Sequence, residues 1–137
     1  MSATRPLPQQ TELAAGYWEA ARRHELAVQR CTACGVLRHY PQERCPECLS
    51  AAVEWATLSG RGRIYTYVVA HAAFHPFFQD RLPYVVATID LEEGVRVVSD
   101  LDEPADAIQI GVPVEVFFEE LEGEITLPRF RLTKAKR

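Results

Sequence analysis

The chain is poor in lysine. Only two lysines, both among the last four residues, accompany thirteen arginines in 137 residues, and the formal net charge is −4. That balance disfavours a general nucleic-acid binder, which needs a basic stripe to displace counterions from phosphates. No apolar run approaches the roughly 18 residues of a membrane-spanning helix, so no membrane role is expected. The first ten residues, MSATRPLPQQ, contain no apolar core of a secretory leader. Export is therefore not expected, and a cytoplasmic location is. Histidine is sparse and scattered, at His24, His39, His71 and His75. No nucleophile–base pair or carboxylate pair converges in the sequence, so no catalytic residue is assigned. What remains is ordinary: 47% hydrophobic and 25% charged residues, as in a soluble globular protein. The length suits one domain or two small coupled modules.

Cysteine is also scarce, and its placement is the strongest chemical signal. The four cysteines form two tight pairs, Cys31-Thr32-Ala33-Cys34 and Cys45-Pro46-Glu47-Cys48, with ten residues between them. Each pair can turn two thiolates toward one ion while backbone amides face the sulfurs, and two such turns complete a tetrahedron. Gly35 suits a position needing positive φ, and Pro46 stiffens the second turn. Structural zinc leads, because four protein ligands leave no position for a catalytic water. Iron is the runner-up metal. Two disulfides lack the expected secretory context, and a thioredoxin-like redox pair lacks its βαβ setting. Thiolate ligands imply a reducing compartment.

Around this centre the chain divides into four stretches: an arm and amphipathic helix over 1–27, a zinc ribbon over 28–54, a β domain over 55–133 and a basic tail over 134–137. Thr11 is placed to cap a helix over about 12–25, with Leu13, Tyr17, Trp18 and Ala21 forming one apolar stripe. That stripe packs either on its own domain or on a partner, since Tyr and Trp serve both places. Residues 26–30 and 36–40 read as the strands flanking the first knuckle. From Trp55 onward the residues are β-branched and aromatic. Strands are expected over 64–71, 84–91, 95–101, 112–118 and about 127–132, with a hairpin turn at Gly94. A short helix capped by Asp102 is expected before Gly111. Five strands with a helix between the third and fourth is the layout of an OB-fold barrel. The fold class is thus mainly β: helix, four-cysteine zinc ribbon, then OB-fold.

Several segments together, RCTACG…ERCPEC, SGRGRIYTYVVAH, LPYVVATIDLEEGVR, IGVPVEVFFEE and LPRF, match in order. The chain resembles the family that joins a rubredoxin-like zinc ribbon to an acyl-CoA-associated OB-fold, long catalogued as a domain of unknown function. The resemblance covers about residues 17–132. One departure is that Tyr40-Pro41-Gln42-Glu43-Arg44 replaces the Pro-Pro-Arg run common before the third cysteine. The resemblance implies a non-catalytic subunit that accompanies thiolase-superfamily proteins. These include thiolases, hydroxymethylglutaryl-CoA synthases and lipid-transfer-protein-like aldolases acting on steroid side chains. Such a subunit bridges its partner and helps complete the acyl-CoA site. The resemblance also implies pairing, in some members, with a MaoC-type hydratase.

Candidate contact residues follow. Phe74, His75, Phe77 and Phe78 lie in an apolar loop beginning after His71. The loop either caps the barrel or packs on a partner or acyl chain. Arg61 and Arg63 sit in Ser59-Gly60-Arg61-Gly62-Arg63 and could fork onto the phosphates of CoA. The plainer reading is a tight turn with solvated arginines. Glu92, Glu93 and Arg96 around Gly94 form a solvated or partner-facing rim. Tyr17 and Trp18 complete the candidate set. The alternative function is a single-strand nucleic-acid module in which Tyr65, Tyr67 and the phenylalanine loop stack bases. A rubredoxin-like electron carrier is a third reading.

Overall fold

Helix α1 spans Ala15–Arg22 and is shorter at both ends than the sequence suggests. The computed structural model describes residues 8, 11–72, 76–121 and 125–133. Thr11 does not cap the helix. Its Oγ1 accepts the Ala14 amide at 3.3 Å and closes a turn one step earlier. The helix stops because His24 is left-handed, with φ 59°. The His24 amide then returns to the Ala21 carbonyl and the Glu25 amide to the Ala20 carbonyl, at 2.8 and 2.9 Å. This is a Schellman cap made without glycine. Ala20 and Ala21 are buried. Gly16 faces the Trp55 ring so closely that a Cβ would overlap it. The helix therefore lies on its own domain.

Strands β1 (Leu26–Cys31), β2 (Leu37–Arg38) and β3 (Val53–Leu58) make an antiparallel sheet in the order β2-β1-β3. The strand expected over 36–40 shrinks to two residues. The side-chain oxygen of Gln29 accepts both Arg38 Nε and the Gln42 amide at 2.8 Å, which draws the chain out of the ladder. β3 pairs with β1 over its whole length, from Leu26 opposite Leu58 to Cys31 opposite Val53.

Five further strands follow: β4 (Arg61–Ala70), β5 (Tyr84–Leu91), β6 (Arg96–Leu101), β7 (Pro113–Glu120) and β8 (Thr126–Leu132). They form one antiparallel sheet in the order β6-β5-β4-β7-β8. Alternation does the sorting: Val85, Ala87, Ile89 and Leu91 of β5 point inward and their neighbours outward. They meet Ile64, Val97, Val114 and Phe130 in one core, which Leu26 and Val28 of β1 also enter. Between β6 and β7 the expected helix is only a 3₁₀ turn, Ala105–Ala107. Asp102 does not cap it, because its carboxylate goes to Arg129 at 2.7 Å. Arg129, on β8, also holds Asp100 of β6 at 2.7 and 3.1 Å and Glu119 of β7 at 3.2 Å. Its side chain is 4% exposed, and this charged clasp joins the two ends of the sheet. The architecture is a mainly β chain: helix, ribbon and five-stranded OB-fold.

Candidate metal centre and partner-facing surface

The two cysteine turns are built alike. In the first, the Gly35 amide donates to the Cys31 carbonyl at 2.8 Å and the Cys31 amide to Val36 at 2.9 Å. In the second, the Leu49 amide donates to the Cys45 carbonyl at 2.8 Å and the Cys45 amide to Ser50 at 2.9 Å. Each turn closes on a left-handed residue four positions after its first cysteine, Gly35 at φ 82° and Leu49 at φ 66°. The sulfurs of Cys31 and Cys48 lie 3.5 Å apart and those of Cys34 and Cys45 3.6 Å, and all four fall within 4.8 Å of one another. A tetrahedron with Zn–S bonds of about 2.3 Å has sulfur–sulfur edges of about 3.8 Å. The four side chains therefore fit zinc with little adjustment.

Backbone amides favour thiolate at Cys31 and Cys45, while burial and the neighbouring thiols push Cys34 up to about 12 and also raise Cys48. The Cys34 amide, and after it the Ala33 amide, outweigh burial and hold the Cys31 thiol down to about 6. The amides of Cys48 and Glu47 lower Cys45 in the same way. Cys31 and Cys45 are buried while Cys34 and Cys48 face outward. Iron fits the same donors by size, so the zinc assignment joins this geometry to the family match below.

The candidate contact residues do not converge on one place. Tyr17 is half-buried, stacked on the His39 ring at 5.2 Å and set edge-on to Trp18 at 5.0 Å. Burial, then Tyr40, raises its hydroxyl pKa. Trp18 is also half-buried. Arg61 forks onto Glu92 at 3.0 and 3.2 Å. The Arg61 guanidinium, followed by the Ser59 hydroxyl, holds the Glu92 carboxyl below its ordinary range. Glu93 accepts the Ser59 amide at 2.8 Å. The rim expected around Gly94 is thus tied to the β3–β4 turn. Arg63 donates to the Gly111 carbonyl at 3.0 Å. His71 is exposed, just past the far end of β4. Phe77 lies half-buried beneath the Arg81 guanidinium, 4.5 Å from its ring centre. Phe78 falls in the 3₁₀ turn Pro76–Arg81, and Phe74 and His75 lie outside the described residues.

Two features escaped the sequence reading. Leu49 occupies a left-handed position that the spacing could have revealed, since it repeats Gly35 after the second pair. The Arg129 clasp had no comparable signal, because its carboxylates come from three separate segments.

Known proteins agree with this architecture. The family described as ChsH2, rubredoxin-like zinc ribbon domain, matches residues 18–54, and ChsH2, C-terminal OB-fold domain, matches 55–119. A DUF35 domain-containing scaffold protein of Methanocaldococcus jannaschii is 37% identical over 104 residues, 74% of this chain and 73% of that protein. The chain belongs to the DUF35 family. Its four cysteines accordingly form a structural zinc site. A probable enoyl-CoA hydratase alpha subunit of Thermomonospora curvata is 44% identical over 132 residues, 94% of this chain. The DUF35 chain spans only 40% of that relative's length. The benzoylsuccinyl-CoA thiolase subunit BbsA of Geobacter metallireducens is 31% identical over 87 residues, 64% of this chain and 57% of that subunit. A chain of the solved Ltp2–ChsH2(DUF35) aldolase superposes with a TM-score of 0.82 at 42% identity, covering 92% of this chain and 98% of that one. No described helix of the DUF35 chain is long and apolar enough to cross a membrane.

Proposed function

We propose that the chain is a non-catalytic accessory subunit of a thiolase-like acyl-CoA enzyme, bridging its partner and helping complete the acyl-CoA site. The observation that carries this is the near-complete superposition, at 42% identity, on a chain of the Ltp2–ChsH2(DUF35) aldolase. The relative named as a thiolase subunit points the same way. Chemistry supports the non-catalytic part. Four thiolates saturate zinc and leave no place for a reacting water. Of the two arginines expected to meet phosphate, Arg61 is already paired with Glu92, and Arg63 donates to the Gly111 carbonyl. Between a condensing thiolase and an aldolase acting on steroid or lipid side-chain CoA esters, the superposition favours the aldolase.

Native mass spectrometry of the tagged chain with the purified thiolase-like enzymes of its source cell tests this. The expected result is a hetero-complex of fixed stoichiometry that cleaves an acyl-CoA substrate, while the chain alone turns nothing over. A chain that stays free of every such enzyme overturns the proposal. The nucleic-acid reading gains no support from the barrel face, where the Tyr65 ring is covered by Arg96, 3.7 Å from its centre.

A further inference from the structure

Sheet edges are templates for unwanted pairing, and folded proteins cover or charge them. Nearly every edge of this molecule is covered or charged. On β6 the Val98 amide donates to the Tyr40 hydroxyl at 3.0 Å, so the ribbon reaches over to occupy it. β8 carries Pro128, the clasp arginine Arg129 and Arg131. The outer part of β7 lies under the end of α1, with His24 stacked on Phe118 at 5.2 Å and its Nε2 3.4 Å from Glu120. On β3, Trp55 is roofed by α1 at Gly16, and Glu54 is paired with Arg30 at 2.6 Å.

Among the described residues, one edge is left bare. β4 is ten residues long, yet it pairs with β7 only from Arg61 to Arg63. Ile64 makes the last bonds on that side, to Val112 and Gly111 at 3.0 and 2.7 Å. A bulge between Ile64 and Thr66 then turns the strand away from β7, while its pairing with β5 continues to Ala70. From Thr66 to Ala70 no described residue bonds the side of β4 that faces away from β5. No described side chain of the strip itself repels a second strand. Tyr65-Thr66-Tyr67-Val68-Val69-Ala70 holds no charge and no proline and is rich in β-formers. Val68 is 62% exposed on this strip. At its near end Arg63 reaches the Gly111 carbonyl and has no carboxylate partner among the described residues.

We propose that the outer edge of β4 over 66–70 takes an extended segment of the partner enzyme as an added strand. The segment presents apolar side chains to Val68 and a carboxylate to Arg63. A five-residue addition would span about 17 Å, with main-chain bonds supplying affinity and alternate side chains specificity. The inference rests on the accessory-subunit reading and names its docking surface.

Amide hydrogen exchange of the DUF35 chain, alone and mixed with its purified thiolase-like partner, tests the edge. In the complex, the amides of 66–70 that do not bond β5 slow at least tenfold. Val68→Lys, at an exposed position, weakens association at least tenfold while thermal melting of the free chain stays unchanged, and Arg63→Glu weakens it as much, with only the small loss of melting temperature expected from its bond to Gly111. If a complex forms with exchange at 66–70 unaltered, the edge inference falls and the accessory reading stands. If no complex forms with any thiolase-like enzyme, both fall. Protection of 66–70 that appears in the chain alone and rises with its concentration would assign the edge to a second copy and overturn the partner strand.

Discussion

The ribbon and the barrel solve the same problem with different materials. The barrel buries Ile64, Val85, Ile89, Val114 and Phe130 to within a few per cent of full enclosure, and alternation along β5 and β6 supplies most of the rest. From Gln29 to Ala52 the ribbon has no such set. Its enclosed side chains are Gln29, Arg38, Cys31 and Cys45, two of them polar and two of them metal ligands. Gln29 and Arg38 answer each other at 2.8 Å, which offsets the cost of enclosing them but adds little net stability. A segment of this size without apolar volume must take its folding energy from the metal. The barrel can fold on hydrophobic burial alone.

That contrast breaks most completely at the zinc. Chelation, or Cys45→Ser, should remove the metal and collapse exchange protection over residues 29–52, while β5 and β6 keep theirs. Zinc content by elemental analysis, read beside amide exchange, checks both halves. Equal loss in ribbon and barrel would mean that they fold as one unit. The mirror experiment is Ile89→Ala, at a fully enclosed barrel position. It should cost about 3 kcal/mol by the usual transfer and cavity effects, measured by urea unfolding, with zinc retained in the folded protein. Arg129→Met comes next. Burial works against the Arg129 charge, but its hydrogen bonds to the Asp102 and Asp100 carboxylates outweigh it and raise its pKa. Removing the cation strands three carboxylates that are themselves partly solvated, so the loss is about 2 kcal/mol. It should appear in the same urea transition as that of Ile89→Ala.

A pH experiment sharpens the ribbon side. Burial pushes the His39 imidazole down to about 4 from its ordinary 6.5, and its Nδ1 has no hydrogen-bond partner among the described residues. Between those values the unfolded chain binds the proton and the folded one does not. The contribution of His39 is therefore complete above pH 6.5 and is lost as pH falls toward 4. It amounts to about 2 kcal/mol after allowance for solvent. His39→Phe should flatten that part of the stability profile. Acid loss of zinc remains in both proteins, so the difference between the two curves is the measurement. The smallest effect compares the knuckles themselves. Leu49→Gly relieves a left-handed leucine that is 69% exposed, and should stabilise the holo-protein by about 1 kcal/mol. Gly35→Leu should do the reverse, both read from thermal melts at saturating zinc.

Legibility followed the same division. Metal ligation was plain because a C-x-x-C turn is a local object whose spacing nearly fixes its geometry. The barrel strands were plain because period-2 alternation is also local, and Gly94 marked a hairpin turn that has the expected positive φ. Helix α1 was read too long. Residues near its ends have adequate propensity, but Thr11 closed an earlier turn and His24 went left-handed, and neither event shows in periodicity. The strand after the first knuckle was also read too long, since Gln29 lies outside that segment and draws it inward. Arg61 and Glu92 offered no hint of each other across 31 residues.

The sequence by itself determined the zinc site, the family and most of the order of elements, though not β3, because each rests on residues close together along the chain or on segments in fixed succession. Only the tertiary structure decided that α1 lies on Trp55, that Arg129 clasps three carboxylates and that one side of β4 over 66–70 has no strand beside it among the described residues. Those outcomes depend on which distant segments the barrel closure brings within a few ångströms, and on how a single bulge turns a strand away from its partner.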